Sequence, residues 1–364
     1  MPRSLIGTPR PDLDTPALCL DIEAVEANVR RMADLFRDGP VRLRPHAKTH
    51  KSPILAQMQL AAGAIGITCA KLGEAEVLAA AGIKDILIAN QIVGAGKIAR
   101  LVNLAGYTAV MVAVDDAANA AELDAAAQAK GIRLRVLVEL NIGMDRCGVL
   151  PGEPALALAQ RVAASPGLRL EGVMGYEGHT VFIQDPQERR EKTEASVKLL
   201  VDTAELLRSH GFPVPIVSSG GTGTCLITGR YPGVTEIQVG SYITMDSQYR
   251  EEVGMDFAYG LTVLATVTSV RSPDRVIIDA GLKTVTRDFG LPRVIAPAGW
   301  ELVDLSEEHG HLRRIGGAAL KIGDKVEIVP NHGCTTINLH DEYHVLRQGV
   351  LEAVWPIAAR GKVS

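Results

Sequence analysis

In the stretch RPHAKTHK, His46 and Lys48 stand two residues apart, so an extended backbone turns both to one face and leaves a primary amine at the end of the run. Such a lysine can hold a carbonyl compound as a Schiff base. As a bare residue type it reads equally as a solvated loop lysine in a basic patch with Arg44 and Lys51. Two glycine-bearing stretches, SSGGTG at 218–223 and VGSY at 239–242, could seat an anion: glycine lets backbone N–H groups come close, and Thr222, Thr224 and Ser241 add hydroxyl donors. A Schiff-base lysine together with a phosphate seat points to pyridoxal phosphate, while a phosphosugar would satisfy the phosphate alone. Arg146 in NIGMDRCG and Tyr176 in MGYEGH are further candidates. Their plain alternatives are an ion pair of Arg146 with Glu139 or Asp145, and a packed tyrosine with its hydroxyl satisfied.

The stretch PNHGCTTINLHDEYHV is dense in potential metal ligands. His332 and Cys334 present an imidazole and a thiolate from one side of an extended segment, a set suited to Zn2+ or a similar divalent ion. Two ligands leave positions open for water or substrate, as catalytic sites do. The alternative is an ordinary buried cysteine beside a surface histidine, and His340, Asp341 and His344 read as solvated loop residues.

These residues must be positioned by regular elements. An amphipathic helix at about 22–37 carries Val25, Val29, Met32, Leu35 and Phe36 at helical spacing, with Asp21 as its N-cap. Eight strand-like runs follow, VRLRPHAK, GITCAK, DILIAN, AVMVAVD, LRVLVELN, LEGVMGYEG, PIVSSGG and TEIQVGSY, most separated by Ala/Leu-rich helical stretches. Apolar strands alternating with helices imply a covered parallel sheet, and eight units close into a (β/α)8 TIM barrel; a doubly wound open sheet is the alternative. In a barrel the candidate residues fall at the C-terminal strand ends, with the two glycine-bearing stretches in the seventh and eighth loops, where phosphate commonly binds. From about Leu261 the pattern turns Val/Ile-rich with few helical stretches, which reads as a β-domain. The early strand TPALCL is surplus to the barrel and is free to pair with that domain. The expected division is a barrel at 22–250 and a β-domain from 1–21 and 251–364.

The 364 residues are 47% hydrophobic and 22% charged, the balance of a folded two-domain protein. A net charge of -4 without a Lys/Arg stripe gives no reason to expect nucleic acid or an anionic membrane, and favours a small-molecule substrate. No apolar run approaches the roughly eighteen residues of a membrane span. The N-terminal stretch MPRSLIGTPRPDLDTP also breaks at prolines before an apolar h-region could form, and both features point to the cytoplasm. Cys19, Cys69, Cys147, Cys225 and Cys334 are odd in number and far apart, which argues against a disulfide framework.

In the same order along the chain, TPALCLD, RPHAKTHKSP, RCGV, SGGTGT, TEIQVGSY, DAGLK, EEHG, PNHGC and VWPIAARG resemble the fold-type III pyridoxal-phosphate enzymes of the D-threonine aldolase and D-serine dehydratase group. The resemblance implies an alanine racemase-like barrel with a C-terminal β-domain, and a homodimer. It implies that Lys48 is the imine lysine, that Arg146 and Tyr176 border the cofactor ring, and that Gly221, Thr222, Gly223, Ser241 and Tyr242 surround the phosphate. It also makes His332 and Cys334 the ligands of a divalent metal, Mn2+, Mg2+ or Zn2+.

SGGTGT, QVGSY, DAGLK with GLP after it, and NLHDE resemble the aldolases more than the dehydratases. Two features depart. Cys334 stands where aldolases of the group carry aspartate and dehydratases carry cysteine. The histidine expected beyond the strand-six tyrosine is missing from YEGHTVFI, where Phe182 lies near its place and His179 is the nearest substitute. The leading expectation is a metal-assisted aldolase that cleaves D-3-hydroxy amino acids to glycine and an aldehyde, with Lys48 and His179 as catalytic residues. The alternative is a D-serine or D-3-hydroxyaspartate dehydratase, in which Lys48 takes the α-proton. A non-catalytic cofactor carrier would lack the second domain, and a racemase would need a second base that the β-domain does not identify.

Overall fold

A computed structural model describes residues 6–364. The chain divides into two compact units, one of residues up to Arg31 with Thr49–Ser52 and Ser241–Gly361, the other of Met32–Lys48, Pro53–Gly240 and Lys362–Ser364. The boundaries therefore differ from the expected 22–250 division. One falls inside helix α1 (Ile22–Phe36), and residues 49–52 and 241–250 group with the β-rich unit.

Parallel strands β2 (Arg42–Leu43), β3 (Ile67–Cys69), β4 (Asp85–Ile88), β5 (Ala109–Val114), β6 (Leu134–Leu140), β7 (Leu168–Gly175), β8 (Ile216–Ser219) and β9 (Glu236–Ile237) pair in the order β2-β9-β8-β7-β6-β5-β4-β3. A parallel bridge between His46 and Thr68 links the two ends. Seven lie within the strand-like runs of the sequence, and β7 starts two residues before its run, LEGVMGYEG (170–178), and ends inside it. Helices α2 (Pro53–Ala61), α3 (Leu72–Ala80), α4 (Ala95–Ala105), α5 (Ala117–Lys130), α6 (Glu153–Ala164), α7 (Pro186–Ser209) and the single turn α8 (Cys225–Thr228) fill the crossovers.

Strand alternation divides the barrel's packing. Ile86, Ile88, Val110, Val112, Val136 and Val138 join the outer cluster with the helices' Leu78, Leu101, Leu123 and Leu158, while Leu87, Met111, Ala113, Leu137 and Met174 cluster separately. The helices are stopped and started by local chemistry. Asp21 accepts from Ala24 N at 3.0 Å, as an N-cap does. Asp116 caps α5 at Ala118 N and Asn119 N, and Gly131 closes that helix at φ 72°. On α1, Val25, Val29, Met32 and Phe36 are buried as expected, but Leu35 is 40% exposed.

Arg44 does not belong to a solvated basic patch. It is buried, with Nε 3.1 Å from both oxygens of Glu236 and Nη1 on Asp85, and Arg135 links Asp85 (3.2 Å) to Glu171 (3.0 Å). Lys51 is buried as well. Removing one member of a buried charged set strands the others. Arg44→Met is expected to lower unfolding free energy by about 3–5 kcal/mol, measured by urea denaturation. Arg313→Met, which breaks an exposed pair with Glu301, is expected to change it by about 0–1 kcal/mol.

In the β-rich unit, strands β10 (Leu261–Ser272), β11 (Arg275–Ile278), β12 (Arg293–Ala296), β13 (Trp300–Leu305), β14 (Gly310–Arg314), β15 (Lys325–Val329), β16 (Glu342–Arg347) and β17 (Val350–Pro356) form one sheet with β1 (Ala17–Asp21). The strand TPALCL does pair here: β1 lies between β10, antiparallel, and β16, parallel. The run HVLRQGVLEAVWPIA is a hairpin, turning at Gln348 and Gly349, which both have positive φ (51° and 73°) as a two-residue loop between twisted strands requires. The segment holding Cys334 is helical, α9 (Gly333–Ile337), so the pair does not project from one extended segment. His332 is its extended N-cap, and Thr335 and Thr336 bond Thr286. No helix among the described residues is long and apolar enough to cross a membrane.

Candidate active site

Within the barrel unit, the ladder that carries β2 continues through His46 N to Val239 O (2.8 Å) and then stops. Lys48 lies in the turn just beyond, so strand alternation no longer governs it. His46 is buried, and its Nδ1 accepts from Lys48 N at 3.3 Å, whereas the Lys48 side chain is exposed. Among the described residues no carboxylate pairs with its ammonium, which leaves an amine available for chemistry.

Arg146 pairs with neither Glu139 nor Asp145. Its guanidinium stands 5.9 Å from the centre of the Tyr176 ring, while Asp145 takes Asn141 and Glu139 takes Gln91. Burial pushes the Glu139 carboxyl up, against the pull of Gln91 and Arg146. Tyr176 faces Gly221: a Cβ at that glycine would lie 3.1 Å from the tyrosine hydroxyl, tighter than an ordinary contact. The Gly221 amide lies 3.3 Å from Thr224 Oγ1.

The loop after β8 is held from beneath by Glu177, a residue that sequence reasoning did not single out. Its carboxylate is fully buried and accepts from Ser219 Oγ (2.8 Å), Gly220 N (3.3 Å), Thr224 Oγ1 (2.7 Å) and Thr228 Oγ1. Thr224 therefore spends its proton on Glu177 and is not the phosphate donor expected of it. Gly223, in contrast, is a buried residue whose amide has no acceptor among the described residues. An orphaned buried N–H is costly unless an anion or water meets it. With the free amine of Lys48 and the Arg146–Tyr176 pair, it suits a phosphorylated aromatic aldehyde. His179 is exposed on the short turn after β7, its ring against Gly143 and its Nε2 3.4 Å from Ser196 Oγ.

In the β-rich unit, Ser241 and Tyr242 are buried at the start of a one-turn helix, with the Tyr242 ring edge-on to Phe257 at 5.8 Å. His332 and Cys334 are half-buried side by side. The carboxylate of Asp246, fully buried, sits 3.0 Å from His332 Nδ1, and also accepts from Gly333 N (3.2 Å) and Tyr249 N (3.0 Å). Burial pulls the His332 imidazolium down, but the Cys334 thiol and Asp246 outweigh it and raise its pKa to about 10. Nδ1 is thus engaged by Asp246, the arrangement in which a carboxylate orients a metal-binding histidine; the imidazole also bonds the Cys334 side chain, a contact that a metal held by both would replace. Nearby, Thr244 Oγ1, Gln248 Oε1 and Asn331 Oδ1 are buried without partners. Among the described residues no group of three or more His, Cys, Asp or Glu could hold an ion, so a metal here would keep open positions. The imidazole and thiol, with their orienting aspartate, fit a divalent ion of borderline softness.

Of the stretch beyond, His340 is not a solvated loop residue: it is half-buried, its Nε2 is 2.8 Å from Thr284 O, and burial lowers its pKa. His344 lies on β16 with Nδ1 buried and unpaired, and only Asp341 is exposed, paired with Arg360.

Residues 20–248 match the alanine racemase N-terminal domain and residues 260–346 a putative serine dehydratase domain. The chain is 41% identical to a D-threonine aldolase of Arthrobacter sp, over 98% of this chain and 95% of that protein. It is 36% identical to a 3-hydroxy-D-aspartate aldolase of Paracoccus denitrificans (99% and 95%) and 34% identical to a D-threo-3-hydroxyaspartate dehydratase of Delftia sp. (89% and 92%). The crystal structure of D-threonine aldolase from Filomicrobium marinum superposes with a TM-score of 0.96 at 39% identity, covering 99% of this chain and 100% of that one.

Proposed function

The chain belongs to the family built on an alanine racemase N-terminal domain, and on that premise we propose that it is a pyridoxal-phosphate lyase that cleaves D-3-hydroxy amino acids of the D-threonine type to glycine and an aldehyde. The observation that supports the reading toward β-hydroxy substrates is the His332–Cys334 pair, with His332 Nδ1 held by the buried carboxylate of Asp246. Lys48 Nζ is the amine that holds the cofactor through its aldehyde. Arg146 and Tyr176 border its ring, and Gly221, Thr222, Gly223, Ser241 and Tyr242 are the residues of the phosphate seat. His332 and Cys334 hold the divalent ion, Mn2+, Mg2+ or Zn2+.

Bound pyridoxal phosphate supplies an electron sink for the pair released as the Cα–Cβ bond breaks. A divalent ion supplies a Lewis acid that lowers the pKa of the β-hydroxyl. The protein's own part is to free the Lys48 amine when the substrate's amine takes its place, to accept the hydroxyl proton, and to let a proton return to Cα so that glycine is formed. His179, exposed on the turn after β7, is assigned as that acceptor; to serve, it must present Nδ1 or release its 3.4 Å contact with Ser196. His179→Asn is then expected to lower turnover by roughly 10²-fold or more with cofactor binding unchanged.

Cys334 favours a second reading, because dehydratases of the group carry cysteine at this position. Incubation with D-threonine and D-serine separates the two. Acetaldehyde and glycine are expected; keto acid and ammonia without them would overturn the aldolase. A homodimer, checked by light scattering, and a cytoplasmic location, consistent with five cysteines that form no disulfide, complete the proposal.

A further inference from the structure

Glu177 lies in the loop after β7, yet its carboxylate is spent on the loop after β8. Ser219 Oγ and Gly220 N approach Oε2, and Thr224 Oγ1 and Thr228 Oγ1 approach Oε1. A carboxylate has about four lone-pair positions, so these donors leave none for a ligand. Thr224 passes the restraint on, since its oxygen is 3.3 Å from Gly221 N while its proton goes to Glu177. The chain Glu177, Thr224, Gly221 fixes one side of the turn and leaves the amide of the buried Gly223 without an acceptor among the described residues. Gly221 also abuts the Tyr176 ring, the residue immediately before Glu177. The same two-residue unit therefore sets both the ring wall and the shape of the turn.

We infer that Glu177 is the positioning residue of the phosphate seat: its buried carboxylate takes the hydroxyl protons of the turn after β8 and so keeps the Gly223 amide open to the phosphate. The inference rests on the pyridoxal-phosphate reading. A negative charge beneath an anion seat would by itself weaken phosphate binding, so charge and geometry oppose each other and must be tested apart.

Glu177→Asp keeps the charge but shortens the reach, so that the four donors can no longer all be met. Apoprotein is titrated with pyridoxal phosphate and, separately, with pyridoxal, which lacks the phosphate but forms the same bond to Lys48. A general loss of fold would weaken both equally. In Glu177→Asp the ratio of pyridoxal-phosphate to pyridoxal affinity is expected to fall roughly tenfold or more, the scale of a charged hydrogen bond lost. An unchanged ratio overturns the inference. Should Glu177→Asp not fold, Thr228→Val removes one donor and is read the same way. Failure of the unaltered protein to bind either aldehyde would instead overturn the cofactor reading.

Discussion

Replacing Lys48 with alanine is expected to abolish borohydride tethering of the cofactor and to lower turnover of D-threonine sharply, because the amine that holds the cofactor aldehyde and yields it to the substrate is gone, while leaving the unfolding free energy within about 0.5 kcal/mol. The two halves of this expectation come from one observation. The Lys48 side chain is exposed beyond the last bridge of its strand, and no carboxylate among the described residues pairs with it. It contributes little to the fold, and a retained Tm beside lost activity marks a residue kept for chemistry. Borohydride reduction of the holoenzyme is expected to tether a pyridoxyl group to the peptide holding Lys48. A tether on Lys51, or near-normal turnover by Lys48→Ala, would remove the central assignment.

The duty of Lys48 after the substrate is bound separates the two lyase readings. An aldolase breaks Cα–Cβ and leaves the α-hydrogen in place, so D-threonine deuterated at Cα is expected to show no primary isotope effect on acetaldehyde release. A dehydratase needs the α-proton removed, and with Lys48 as its base a primary effect follows.

The barrel was legible because its strands are buried on both faces and read as apolar runs such as DILI and AVMVAV, separated by helices of a different period. The β-rich unit was legible in kind and less so in detail. The turn at Gln348 and Gly349 lacks the usual Asn-Gly signal, and α9 is five residues long, too short for a period to appear. The residues that act through others were not legible at all. Glu177 meets donors 42 to 51 positions away, Asp246 meets a histidine 86 away, and Arg44 meets Glu236 192 away. Neither type nor spacing announces such partners, because the spacing is set by the closure of the barrel and the sheet. Residues that end strands or lie in glycine-bearing turns could be placed from the order of elements alone.

Asp246 makes the metal pair more testable than its ligands do. Removing the ion with a chelator is expected to lower turnover by about 10²-fold or more, restored by Mn2+, Mg2+ or Zn2+, and His332→Ala is expected to make that loss permanent. Those outcomes identify the ligands but not how they are held. One oxygen of Asp246 serves both His332 Nδ1 and Gly333 N, and the other serves Tyr249 N. An asparagine has a single acceptor oxygen, so in Asp246→Asn its amide must face either the Tyr249 N–H or the pair at His332 and Gly333. Facing Tyr249, the amide sets donor against donor within its own turn and displaces the oxygen that holds His332; facing His332, it takes from the imidazole the partner that keeps its proton on Nδ1. Metal affinity, measured by chelator competition, is expected to fall about 10–100-fold, while attachment of the cofactor aldehyde to Lys48 is unchanged. If Asp246→Asn bound metal as tightly as the unaltered protein, the carboxylate would be a structural cap of its own turn and would not orient His332 for a metal.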